Sequence, residues 1–180
     1  MSVRGALLLL ACLFLGTSPS TLGASDDQFI VPGVRVGRWT LAMTLDDLLR
    51  QHGYPVRQHV MAGLPPAAEA VFDHVIFRWD RVTVMATTFM GQKRVEFLQT
   101  GFLMPGGHRY RTDRQIGFLA TRGEIMKTYG RPTAEVIPQP LETRIIYDDL
   151  GVAFSLDMAG RAHTIFVFRR GTAGRFWHLI

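Results

Sequence analysis

Cysteine is almost missing from this 180-residue chain: Cys12 is the single one, and it stands inside the leading apolar run. A chain processed beyond that run has no thiol, no disulfide and no cysteine metal ligand, so its stability rests on its core alone. Lysine is nearly as scarce. Of 20 Lys and Arg residues only Lys93 and Lys127 are lysine, and the formal net charge of +5 is carried by arginine, whose planar fork suits bidentate contact with carboxylate or phosphate. The arginines are dispersed, with no basic run and no recognition motif, which argues against nucleic acid as a partner. After the leader no stretch approaches the roughly 20 apolar residues a membrane-spanning helix needs, so no transmembrane span is expected in the mature chain.

Local catalytic patterns are missing as well. The six histidines, His52, His59, His74, His108, His163 and His178, form no HxxxH or HExxH pair, and none has a carboxylate at ligand-like spacing, so no metal site is expected. There is no Gly-x-Ser-x-Gly elbow. Ser155 reads as a polar residue in mid-strand, and Asp148-Asp149 as turn formers rather than a carboxylate pair. Phosphate loops and dinucleotide fingerprints are absent, and no cofactor is expected.

What is present begins with an export signal. Arg4 precedes the apolar run Ala6 to Leu15, and small or polar residues fill Gly16 to Ala24, so residues 1–24 read as a signal peptide and the product as periplasmic or secreted. The competing reading is a lipoprotein signal with an anchor on Cys12, since Leu9-Leu10-Ala11 stands before it, although the apolar run continues past that residue. Residues 25–180, about 155 after processing, are ordinary for one domain.

That domain is written around a recurring helix signal. Thr44, Asp47, Gly53 and Pro55 return as Thr121, Glu124, Gly130 and Pro132 at identical spacing. Each threonine can cap the third helical amide while the carboxylate reaches back, and each Gly and Pro can end the helix. Leu45, Leu48, Leu49 and His52 give the first helix its inward face; Ile125, Met126 and Tyr129 serve the second. Strand-like runs follow each copy: His74 to Trp79, Val82 to Thr88 and Lys93 to Gln99, then Arg144 to Asp148, Gly151 to Asp157 and Arg161 to Arg170. Phe29 to Gly33 reads as extended with a turn, Val34 to Met43 as a short strand or the opening of a two-helix unit, and Phe176 to Ile180 as a last short strand. The expectation is an α+β fold: two tandem repeats, about 30–103 and 108–180, each a small helical unit followed by antiparallel strands, forming one curved sheet with helices on one face.

Val36-Gly37, Leu41-Ala-Met-Thr44 and Gly53-Tyr-Pro55 match Ile116-Gly117, Thr121, Glu124 and Tyr129-Gly130-Arg-Pro132, followed by Tyr147-Asp-Asp-Leu-Gly151 and Val152 to Leu156. In these features the chain resembles the exported tandem-repeat modules of the β-lactamase-inhibitor-protein fold and the related small outer-membrane-assembly lipoproteins. It departs from the inhibitor in lacking mature cysteines, and Ala42 stands where related modules often carry Gly. The resemblance implies a curved sheet whose open face grips a partner protein.

Period-two alternation about the turns Asp80-Arg81, Met90-Gly91, Asp149-Leu150 and Met158-Ala159 places Val75, Phe77, Trp79, Val82, Val84, Val95, Phe97, Ile145, Tyr147, Val152, Phe154, Ile165 and Val167 under the helices. It sends Ile76, Arg78, Met85, Arg94, Leu98, Arg144, Ile146, Phe166 and Phe168 outward. Large apolar groups interleaved with arginine on an open face read as a partner-binding surface. The function expected from the sequence is therefore a non-enzymatic exported protein-binding module with an unidentified protein partner. The alternatives are a small periplasmic hydrolase whose site is assembled from distant residues, and an envelope-scaffold lipoprotein.

Overall fold

A computed structural model describes residues 28–52, 57–61, 73–78, 83–89, 92–103, 107–139 and 141–175. The leader 1–24 with Cys12, the helix-ending Gly53 and Pro55, the turns at 80–81 and 90–91, and the segment 176–180 lie outside the described residues. So do the side chains of Val75, Phe77, Trp79, Val82 and Val84.

The described chain is mostly β and forms two sheets. Four very short strands, β1 (Phe29–Val31), β2 (Arg35–Val36), β3 (Trp39–Thr40) and β8 (Arg111–Thr112), make a small sheet of order β3-β2-β1-β8. Here β1 runs antiparallel to β2 and parallel to β8. The other strands are β4 (Arg57–Met61), β5 (Asp73–Arg78), β6 (Thr83–Phe89), β7 (Gln92–Gly101), β9 (Ala134–Gln139), β10 (Glu142–Tyr147), β11 (Val152–Leu156) and β12 (Ala162–Phe168). They form an eight-stranded antiparallel sheet of order β4-β5-β6-β7-β12-β11-β10-β9. Only two helices of eight residues each are described, α1 (Leu45–His52) and α2 (Arg122–Tyr129).

This overturns the expected α+β plan of tandem helical units over one curved sheet. Of the two readings of Val34 to Met43, a short strand or the opening of a two-helix unit, the strand is the nearer: the segment doubles back as β2 and β3, because Gly33 (φ +73°) and Gly37 (φ +56°) supply left-handed turn residues in place of helical ones. The principal core therefore lies between two sheets, with the helices filling its margins. Ile30, Val36 and Trp39 of the small sheet and Leu48 and Ile125 of the helices meet Val95, Ile145, Tyr147, Phe154 and Ile165 of the large one.

Two glycines let the sheets touch. Gly33 N donates to Gly151 O at 3.0 Å, and a Cβ on Gly151 (φ +75°) would collide with Phe168 O and stand 2.6 Å from Gly33 Cα. The helix caps are as the spacing predicts. Thr121 Oγ1 accepts from Glu124 N at 3.3 Å while Glu124 Oε2 accepts from Thr121 N at 2.7 Å. Thr44 and Asp47 repeat both bonds, each at 3.1 Å. Gly130 (φ +83°) closes α2 by donating to Met126 O at 2.8 Å.

Candidate functional site

The strand register carries the outward residues to one sheet face with a single exception. Ile76 pairs with Met85, Met85 with Phe97, Phe97 with Phe168, and Arg78 reaches Phe166 and Ile146 through Thr83, Gln99 and Ala153. Arg94 pairs with Thr87 and joins the same face, and Arg144 lies two residues from Ile146. Leu98 does not belong. Ala86 pairs with Val95 but Met85 pairs with Phe97, so Glu96 is an extra residue in β7 and the alternation flips there. Phe97 moves to the outer face, and Leu98 joins Val95 in the principal core.

The outer face is not open. Ile146 and Phe168 are 0 % exposed and Phe166 is 2 % exposed, and with Phe97, Ala153 and Ala173 they form a second apolar cluster. The Phe97 ring lies 5.4 Å from Phe166 and 6.4 Å from Phe168. Ala173 is brought onto the cluster by a turn that Asp148 anchors, its carboxylate accepting Ala173 N at 2.9 Å and its carbonyl accepting Gly171 N at 2.9 Å. Leu98, Ile146, Phe166 and Phe168 are thus core side chains and cannot anchor a partner. Arg94 is exposed and Arg144 half-buried; the side chains of Ile76, Arg78 and Met85 are outside the described residues.

Arg144 instead joins a polar cluster at the end of this face. Its guanidinium carbon sits 5.4 Å over the Phe166 ring, and its Nε lies 2.7 Å from Glu142 Oε1 and 2.9 Å from Ser155 Oγ. The Ser155 hydroxyl donates a short bond to the same Glu142 oxygen. A bulge in β12, where Ser155 pairs with Thr164 but Leu156 with Ala162, turns His163 toward the cluster and leaves its Nε2 4.0 Å from Glu142. Burial raises the Glu142 pKa, but the bonds from Arg144 and Ser155 and the charge of Arg144 outweigh it, and the carboxyl is held below its ordinary value. In a serine–histidine arrangement the hydroxyl sits on the imidazole. Here the imidazole meets Glu142 and the Thr164 hydroxyl (2.9 Å), while Ser155 is fully buried and bonded to Glu142, so the cluster ties three strands together and holds no Ser–His pair.

Exposed apolar side chains gather at the free edge of the large sheet. Ile137 of β9, Leu141 of the β9–β10 turn and Met158 of the β11–β12 turn are 72 %, 63 % and 78 % exposed. They line an open hollow of about 360 Å³ with buried Leu156, and its other lining side chains include Glu135, Glu142 and Asp157 against the one cation Arg122. Arg122 bonds Glu135 at 2.8 Å, and Asp157 accepts from the amides of Ala159 and Arg161. With Glu135 paired to Arg122 and Glu142 to Arg144, the Asp157 carboxylate is the rim charge without a cationic partner among the described residues. Pro138 stands within β9, which tolerates it because β9 is an edge strand.

A second hollow, of about 620 Å³, opens beside α2. Its walls include Ile116, Phe118, Leu119 and Ala120 together with Glu124, Lys127 and Thr128 of α2, and Arg111 and His108 add further cationic or titratable groups. Gln115 and Leu119 both hold φ +65°, which costs a non-glycine residue on the order of 1 kcal/mol each. Hydrogen bonds enforce it: Gln115 N to Thr112 O (2.9 Å), Thr112 N to Ile116 O (2.7 Å) and Leu119 N to Ala162 O (2.8 Å). Glu124, also in the lining, turns its carboxylate onto the Thr121 cap, and those bonds, the backbone one foremost, lower its pKa. Among the described residues no group of three or more His, Cys, Asp or Glu is placed to hold a metal.

No family model matches the chain, and no curated protein matches it. Among solved structures it is similar to that of a DUF4309 family protein, YjgB, from Bacillus subtilis, with 14% sequence identity over 70% of this chain and 78% of that one, at a TM-score of 0.45. A likeness of that size assigns neither family nor activity. No described helix is long and apolar enough to cross a membrane.

Proposed function

We propose that this chain is a non-enzymatic, exported protein-binding module, and that it binds through the free edge of the large sheet rather than through the sheet face. The observation that carries this reading is the exposed trio Ile137, Leu141 and Met158 around a hollow floored by Leu156. Contiguous exposed apolar side chains rimmed by polar ones mark recognition surfaces. The rim chemistry selects the occupant: with Glu135 paired to Arg122 and Glu142 to Arg144, the Asp157 carboxylate is left, which fits a partner segment that inserts an apolar anchor and flanks it with lysine or arginine. Pro138 interrupts the donor row of β9, so contact is made by side chains and not by extension of the sheet. Export is supported by the short apolar leader.

The test uses peptides of defined sequence, a leucine or phenylalanine between two lysines on either side, with a glutamate-flanked version as the control. Binding of the lysine peptide that weakens with salt and is lost in the Ile137→Glu, Met158→Glu double variant, with an unchanged melt, is expected. Equal binding of the two peptides, or binding indifferent to the double variant, overturns the reading.

A further inference from the structure

The hollow beside α2 has no part in the partner contact, and its chemistry differs in sign. Arg111 from β8 and Lys127 from α2 both reach it, and among the described residues neither forms an ion pair. The carboxylate in the wall, Glu124, is committed to the Thr121 cap by two hydrogen bonds. What remains is two cations against one carboxylate, an excess of positive charge beside Phe118 and the exposed side chain of Leu119.

The wall is also built to stay in place. Two left-handed non-glycine residues are fixed by backbone bonds, and Arg111 pairs with Gly117, where a Cβ would stand 3.3 Å from Arg111 Cγ. Gly117 therefore lets the arginine stem lie flat against the loop. A rigid concave wall with a few fixed polar groups loses little entropy on binding a small molecule.

We propose that this cleft binds a small amphipathic anion, its carboxylate or phosphate head held by Arg111 and Lys127 and its short apolar tail laid on Phe118 and Leu119. Arginine and lysine together suit such a head, the first as a fork and the second as a point charge. The tail is required because Ile116, Phe118, Leu119 and Ala120 share the lining with the cations, and a bare anion would leave those side chains in water.

The experiment titrates the isotope-labelled protein with octanoate, octyl phosphate and inorganic phosphate in parallel, following backbone amide shifts. The proposal expects saturable shifts at Gly117, Leu119 and Lys127 with one or both octyl compounds, and the stronger of the two identifies the head group. The Arg111→Ser, Lys127→Ser double variant should weaken that binding about tenfold or more with an unchanged melt. Leu119→Asn, which keeps the left-handed backbone accessible, should weaken the octyl compounds selectively. No saturable shift, shifts confined to the Ile137 edge, or inorganic phosphate binding as tightly as octyl phosphate would each overturn it.

Discussion

Thr121 illustrates how much a single residue's role can be read locally. Its cap, its carboxylate partner and its terminating glycine lie within one short segment, so sequence spacing alone places them, and the bonds to Glu124 are where that spacing puts them. Thr121→Ala should cost about 1 kcal/mol in a denaturant melt, while Thr121→Ser should cost far less. Glu142 is the opposite case: it is joined to Ser155 across thirteen residues and to His163 through a bulge, and nothing in the local sequence announces either. Its pKa is lowered in the folded chain, so the stabilisation it gives is present above its unfolded pKa and disappears as pH falls through the folded value. The stability advantage of the native protein over Glu142→Gln should therefore be constant near neutrality and shrink as pH drops below about 4. An advantage that grew on acidification would mean that the carboxylate is not the bonded form.

Elements are where the sequence reading divides. The alternation on β10, β11 and β12 correctly puts Ile145, Tyr147, Val152, Phe154, Ile165 and Val167 in one core, since those strands pair without interruption through their middles. It fails on β7, where one extra residue exchanges Phe97 and Leu98 between faces; a bulge leaves no mark on hydrophobic period when both neighbours are apolar. It fails again on the outer face, because which element covers a sheet is a long-range fact: the cover includes Ala173, held by Asp148 from twenty-five residues away. The short strands β2 and β3, at two residues each, are below the length at which any period can be seen. The topology makes its own prediction. Strands β7 and β12 sit at the centre of the large sheet and β9 at its edge, so amides of Ile165 and Val167 should exchange with solvent orders of magnitude more slowly than that of Ile137. Equal rates would mean that the two four-stranded halves are not joined as described.

At the scale of the molecule, one wide face of the central part of the large sheet packs on the small sheet and helices, and the other carries its own buried aromatic cluster, joined by Ala173. The two proposed contacts both lie at margins: an exposed apolar edge at β9 and a cleft beside α2 with an excess of positive charge. The two differ in charge and in the size of guest they admit, so they should be separable by mutation, with Ile137→Glu leaving the cleft intact and Arg111→Ser leaving the edge intact. Contact at the β9 edge is the claim on which the functional account stands, and site-specific photocrosslinking in the exporting cell tests it most directly. A benzophenone side chain placed at position 137 or 158 should capture one discrete protein, at a segment where an apolar residue is flanked by lysine or arginine, while the same group at exposed position 94 should capture none of it. Capture from position 94 with none from 137 or 158 would contradict the account and return the partner to the sheet face.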